Sequence, residues 1–103
     1  MASGILGQSA PSASTNTTVY TVPSAKTATF NVSVCNRGLT LANIRVAISA
    51  TGTPGNSEWI EYDTELPANS VFERTGLVAQ TTKNVVIYAD SASLSVSVYG
   101  YEE

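Results

Sequence analysis

Residues 27–36, TATFNVSVCN, place Ala28, Phe30, Val32 and Val34 on one side of an extended backbone and Thr27, Thr29, Asn31, Ser33 and Cys35 on the other. This is the period-2 pattern of a half-buried strand. Residues 43–50, NIRVAISA, repeat it, with Ile44, Val46, Ile48 and Ala50 alternating against Arg45, Ala47 and Ser49. Between them, Asn36-Arg37-Gly38 has the chemistry of a tight reversal, because Asn and Gly tolerate positive φ. The two runs are therefore expected to form a central hairpin.

The rest of the chain reads the same way. Residues 17–22, TTVYTV, are β-branched and aromatic and stop at Pro23, which predicts a strand near an edge. Residues 51–57, TGTPGNS, must be a loop. In residues 58–66, EWIEYDTEL, Ile60 and Tyr62 alternate with Trp59, Glu61 and Asp63, predicting a strand with an aromatic-apolar face and an acidic face. Residues 71–79, VFERTGLVA, form a further strand, with Gly76 a bulge or close-approach point. The nearly continuous apolar run 85–89, VVIYA, suits a strand covered on both sides. In residues 93–101, SLSVSVYGY, Leu94, Val96 and Val98 oppose Ser95, Ser97, Tyr99 and Tyr101. Such runs, spaced by about 8–12 residues with turn chemistry between them and no helical period, predict an all-β chain. The expected fold is a single antiparallel β-sandwich or jelly-roll-like domain. The sole cysteine, Cys35, excludes an immunoglobulin-type disulfide.

Residues 1–16, MASGILGQSAPSASTN, are small and polar apart from Ile5-Leu6. Alone they bury too little to offset their ordering entropy, so they are expected to form an extended N-terminal arm, with the sandwich domain spanning residues 17–103. Once ordered, such an arm either pairs along a sheet edge of its own domain or lies across a neighbouring subunit.

The length of 103 residues suits one domain with a thin core. Charged residues are 13% of the chain, against about 25% in ordinary globular proteins, and Ser, Thr, Asn and Gly fill the surface instead. That composition fits a packed assembly, where a partner covers few ions, and equally an ordinary Ser/Thr-rich β domain. The net charge of −3 and the absence of any basic cluster argue against nucleic acid as a partner. No apolar stretch is long enough for a membrane span or a secretory signal, so the chain is expected to be cytosolic at birth, with no membrane partner. The triplets at Asn16 and Asn31 that fit glycosylation then read as chance.

Without histidine, neither a Ser-His-Asp nor a Cys-His arrangement can be built within this chain, which weighs against hydrolase chemistry. Cys35 reads as an inert small residue. Glu61, Asp63 and Glu65, at alternate positions of one strand, are spaced too regularly to wrap a cation unaided; a solvated face, or salt bridges to Arg45 or Arg74, is the better reading. Trp59 reads as a core or interface anchor ahead of a stacking platform for a ligand. The expectation is no enzyme, with no catalytic residue, cofactor or metal.

The order of Ser3-Gly4-Ile5-Leu6-Gly7-Gln8, Val19-Tyr20-Thr21-Val22-Pro23, Val34-Cys35-Asn36-Arg37-Gly38, Ile60-Glu61-Tyr62-Asp63-Thr64, Glu73-Arg74-Thr75-Gly76-Leu77 and Val98-Tyr99-Gly100-Tyr101-Glu102-Glu103 resembles a family of small virion structural proteins of tailed bacteriophages, notably phages of marine bacteria and cyanobacteria. The resemblance implies a many-copy structural protein of the particle, without catalysis or cofactor. The leading expectation is a capsid decoration or cement protein that binds the assembled head through its sandwich edges and N-terminal arm. Its partners would be the major capsid protein or other virion proteins and further copies of itself, a trimer favoured, and it would reside in the virion after assembly in the host cytoplasm. A neck, tail or fibre-attachment component is the alternative. From another class comes a carbohydrate-binding or adhesion module that uses Trp59, Tyr62, Tyr99 and Tyr101 as stacking surfaces. The candidate partner-interface residues are Ile5, Leu6, Trp59, Tyr99 and Tyr101.

Overall fold

The computed structural model describes residues 2–103, and no helix occurs among them. Eight strands follow one another: β1 (Ser3–Ser9), β2 (Thr17–Thr21), β3 (Ala28–Asn36), β4 (Ala42–Ser49), β5 (Trp59–Leu66), β6 (Val71–Ala79), β7 (Asn84–Ala89) and β8 (Leu94–Glu102). They form two four-stranded antiparallel sheets. Sheet A has the order β1-β8-β3-β6 and sheet B the order β2-β7-β4-β5. The sheets face each other across one core in a β-sandwich-like arrangement.

The core comes from the alternation seen in the sequence. Phe30, Val32 and Val34 of β3 meet Val96 and Val98 of β8 on the inner side of sheet A, and Ile44, Val46, Val85 and Ile87 face them from sheet B, all essentially inaccessible to water. Burying side chains of this size contributes about 1.5–3 kcal/mol each. Tyr20 and Phe30 meet edge to face within this core, their ring centroids 6.4 Å apart.

The hairpin expected of residues 27–50 does not form. β3 lies in sheet A and β4 in sheet B, because inner-outer alternation looks the same in strands that pair and in strands that face each other across a core. The chain in fact changes sheet at every connection except β4 to β5. The corner after β3 is held by Asn36, which is fully buried. Its Nδ2 donates to the carbonyls of Thr40 (2.9 Å) and Leu66 (3.0 Å), and its Oδ1 accepts from the Gly38 N–H (2.9 Å).

Residues Ser3–Ser9, which sequence reading assigned to the arm, form β1 and pair with β8 of their own sheet. Two contacts bind this end of the chain. Gly7 packs so tightly on β2 that a Cβ there would lie 2.3 Å from the Val19 carbonyl oxygen. Glu102 donates its N–H to the Ala2 carbonyl at 2.9 Å.

The registers separate centre from edge. The two central pairings, β3 with β8 and β4 with β7, run without interruption. Each of the four edge strands carries at least one irregularity, and the extra residue always belongs to the edge strand: Leu6 in β1, Val19 in β2, the Thr75-Gly76 step in β6, and two shifts in β5. Bulges twist an edge away from flat pairing and discourage strand addition by another chain.

Candidate functional site

Bulges interrupt all four edges, and the two outer faces differ in chemistry. On sheet A, alternation and register lay out cross-strand rows. Ser3, Tyr101, Thr29 and Val78 form one row, Ile5, Tyr99 and Asn31 a second, Gln8, Ser97, Ser33 and Glu73 a third, and Ser95, Cys35 and Val71 a fourth. Glu73 is the one charged residue in these rows, and the Tyr99 hydroxyl donates to its Oε2 at 2.5 Å. That hydrogen bond, with some burial, raises the Tyr99 phenol above its ordinary value. Large apolar side chains stand open on the same face: Ile5 is 58% exposed, Val71 60% and Val78 61%. A face this poor in charge can be covered without desolvating ions.

Of the five expected interface residues, Ile5, Tyr99 and Tyr101 lie together on this face. Leu6 does not. As the bulge residue of β1 it has no partner on β8 and packs against the core. Trp59 lies on sheet B, opposite Ala47. The four aromatics named as stacking surfaces fall into two pairs, Tyr99 and Tyr101 on one side of the molecule and Trp59 and Tyr62 on the other.

The outer face of sheet B is built around Arg45. Thr18, Val86, Ala47 and Trp59 form a row across it, and Ala47 and Val86 are fully buried although alternation points them away from the core. At one end of this row Gly52, in the loop of residues 50–58, lies against Thr18. Glu58 fastens that loop, its carboxylate accepting from the Ser49 hydroxyl (2.8 Å) and from the N–H groups of Ala50 (3.0 Å) and Gly55 (2.8 Å). The Gly55 and Ala50 N–H groups, followed by the Ser49 hydroxyl, hold the Glu58 carboxyl below its usual range.

Beside this row the Arg45 guanidinium lies 4.0 Å from the Tyr62 ring centroid, 4.6 Å from that of Tyr88 and 6.0 Å from that of Trp59. Trp59 and Tyr62 meet edge to face at 5.6 Å. Asp63 takes the guanidinium in a fork, Nε to Oδ1 at 2.6 Å and Nη2 to Oδ2 at 3.3 Å, a geometry suited to a planar donor. Asp63 gets there because the shifts in β5 bring Tyr62 and Asp63 out over β4, with Asp63 at φ 54°. Next to this group, Asp90 accepts from both the backbone N–H and the Nδ2 of Asn43, each at 2.9 Å. These two bonds, the backbone one first, lower the Asp90 pKa. Asn43, Arg45, Asp63, Tyr88 and Asp90 together line a cleft of about 320 Å³.

The same shifts undo the single acidic face expected of β5. Glu61, opposite Val46, is turned toward the gap between the sheets, where Arg74 of β6 pairs with it and the Thr64 hydroxyl donates to its Oε1 at 2.8 Å. Asp63 is bound to Arg45. The salt bridges to Arg45 and Arg74 favoured on sequence grounds are both present. Among the described residues, no group of three or more Cys, Asp and Glu side chains is placed to hold a metal ion.

Sequence reading did not find the cleft. Its signal was available in part, since Asn43 and Arg45 are outward positions of β4 and Tyr88 and Asp90 are outward positions of the VVIYAD run. Nothing local says that β4 and β7 are neighbours. Comparison with protein-family models, with curated proteins and with solved structures finds no match for this chain.

Proposed function

We propose that this chain is a non-catalytic structural subunit of a phage virion, a jelly-roll domain that decorates the head and docks through the outer face of sheet A. The virion assignment rests on the sequence resemblance. The jelly-roll reading is supported by the strand order, in which two four-stranded sheets exchange the chain at nearly every connection, as in a double Greek key.

The observation that carries the docking role is the composition of sheet A's outer face, where Ile5, Tyr101, Val71 and Val78 are exposed among uncharged side chains and Glu73 alone carries charge. The bulged edge strands favour a face over the edges and arm as the contact surface. Removing residues 1–16 is a poor test of attachment, since it would strip β1 from sheet A and lay bare β8.

The sharper test is substitution on the face. Ile5→Asp and Val78→Asp leave the interior untouched and should abolish occupancy on assembled particles while the free domain stays folded; full occupancy by both variants would refute docking through sheet A. Copy number separates the locations. Hundreds of copies per particle support the head, and tens or fewer move the chain to the neck, tail or fibre attachment.

A further inference from the structure

We infer that the cleft on the outer face of sheet B is a binding site for a neutral or amino-bearing saccharide. Its volume of about 320 Å³ falls at the lower end of the roughly 300–1,000 Å³ typical of small-ligand pockets, room for one or two sugar rings.

The lining chooses the ligand. Each oxygen of Asp90 takes one hydrogen bond from Asn43 and each oxygen of Asp63 one from Arg45, so both carboxylates keep lone pairs for further donors. Arg45 uses two of its five N–H groups on Asp63 and keeps the others for acceptors. A ligand whose adjacent groups both donate and accept, as sugar hydroxyls do, matches this mixed set. Tyr88, in the lining, packs on the Arg45 guanidinium at 4.6 Å, and Tyr62 backs the same guanidinium at 4.0 Å, so the wall offered to a ligand is a fixed one.

Charge excludes acidic ligands. Asp63 and Asp90 outweigh Arg45, and exposed Glu65 is the cross-strand partner of Asn43, so phosphorylated, sulfated and uronic sugars are repelled while an amino group is tolerated. The site is also ordered in advance. Arg45 is fixed by a fork and by two rings, and Asp90 by two bonds from one residue, so little side-chain freedom is left to lose on binding.

This inference rests on the cleft alone and not on the docking role of sheet A; Ile5→Asp tests the latter and leaves the cleft intact, so the two can fail separately. The experiment is a titration of the full chain, followed by backbone amide NMR shifts, with neutral oligosaccharides, amino-sugar oligomers, oligouronates and a Lys/Arg-rich peptide. Saturable shifts at Asn43, Arg45, Asp63, Tyr88 and Asp90 with neutral or amino sugars, and none with oligouronates, are expected. Asp90→Asn should weaken that binding about tenfold or more, with the rest of the amide spectrum unchanged. Absence of sugar-induced shifts in this cleft, preference for oligouronates, or occupation by the basic peptide in place of sugars would each overturn the inference.

Discussion

The hydroxyl of Tyr20, on β2 of sheet B, donates to Oε2 of Glu102, on β8 of sheet A, at 2.5 Å, with both residues buried. This bond joins the two sheets at the end of the molecule where the chain begins and ends. There Thr27 and Glu103 also exchange a pair of backbone hydrogen bonds, at 3.1 and 2.9 Å. Tyr20→Phe removes the donor and leaves a buried carboxylate without it, which should cost about 1–3 kcal/mol in chemical denaturation. Glu102→Gln keeps an acceptor for the phenol and should cost less.

The same contact sets a pH dependence. Burial first, and then the bond to Glu102, raise the Tyr20 pKa well above its ordinary 10.0. The folded state therefore holds the phenol proton more tightly than the unfolded chain does. The resulting stability is complete below pH 10.0 and is lost as the pH climbs from there toward the folded value. Urea unfolding followed across this alkaline range should show a falling midpoint, and the fall should be shallower in Tyr20→Phe.

An acid transition is expected at the other end of the scale, local to residues 50–58. Because the Glu58 carboxyl is held below its ordinary 4.5, the clasp it forms is complete above that value and is released as the pH falls through the lower, folded one. Trp59, the only tryptophan and the next residue in the chain, reports this. Its fluorescence should change with a midpoint below pH 4.5, and in Glu58→Gln the change should vanish.

Close approach of backbone to backbone yields a contrast between glycines. A Cβ at Gly100 would lie 2.1 Å from the Thr29 carbonyl oxygen, and one at Gly7 2.3 Å from that of Val19. Alanine at either site must push strands apart, and a loss of about 1–3 kcal/mol or more is expected. Gly52 meets only ordinary contact, with Thr18 Oγ1 at 3.5 Å from such a Cβ. Gly52→Ala should change stability by no more than about 0.5 kcal/mol. Thermal melts of the three variants side by side make the comparison.

Asn36 shows why some of this architecture was legible in the sequence and some was not. The alternation of residues 27–36 and 43–50 correctly gave two strands, but in the second the inner face fails at its end, where Ala50 is exposed and Ala47 and Ser49, read as outward, are buried; the run VVIYA correctly gave a strand covered on both sides, since Val86 is buried on the outer face. Asn36-Arg37-Gly38 correctly gave a change of direction. What the pattern could not give was the destination, because the same three residues serve a hairpin and a corner between sheets. The corner is held by the carbonyls of Thr40 and of Leu66, the latter 30 residues away and out of reach of any local pattern. For β1 the sequence left two outcomes open, pairing along an edge of its own domain or crossing to a neighbour, and the first occurs: SGILGQS has small residues where most strands have branched ones, and it is held by β8 and by the close seat of Gly7 on β2. The cleft on sheet B depends on bulges in β5, and a bulge has no period to detect.

The most direct measurement is an image of the assembled particle at a resolution that fixes the orientation of this domain. The expected density has the face bearing Ile5, Tyr99, Tyr101 and Val78 against a neighbouring subunit, with the Arg45 cleft turned to solvent. A domain attached by its edge strands or by sheet B, with the outer face of sheet A open to water, contradicts it.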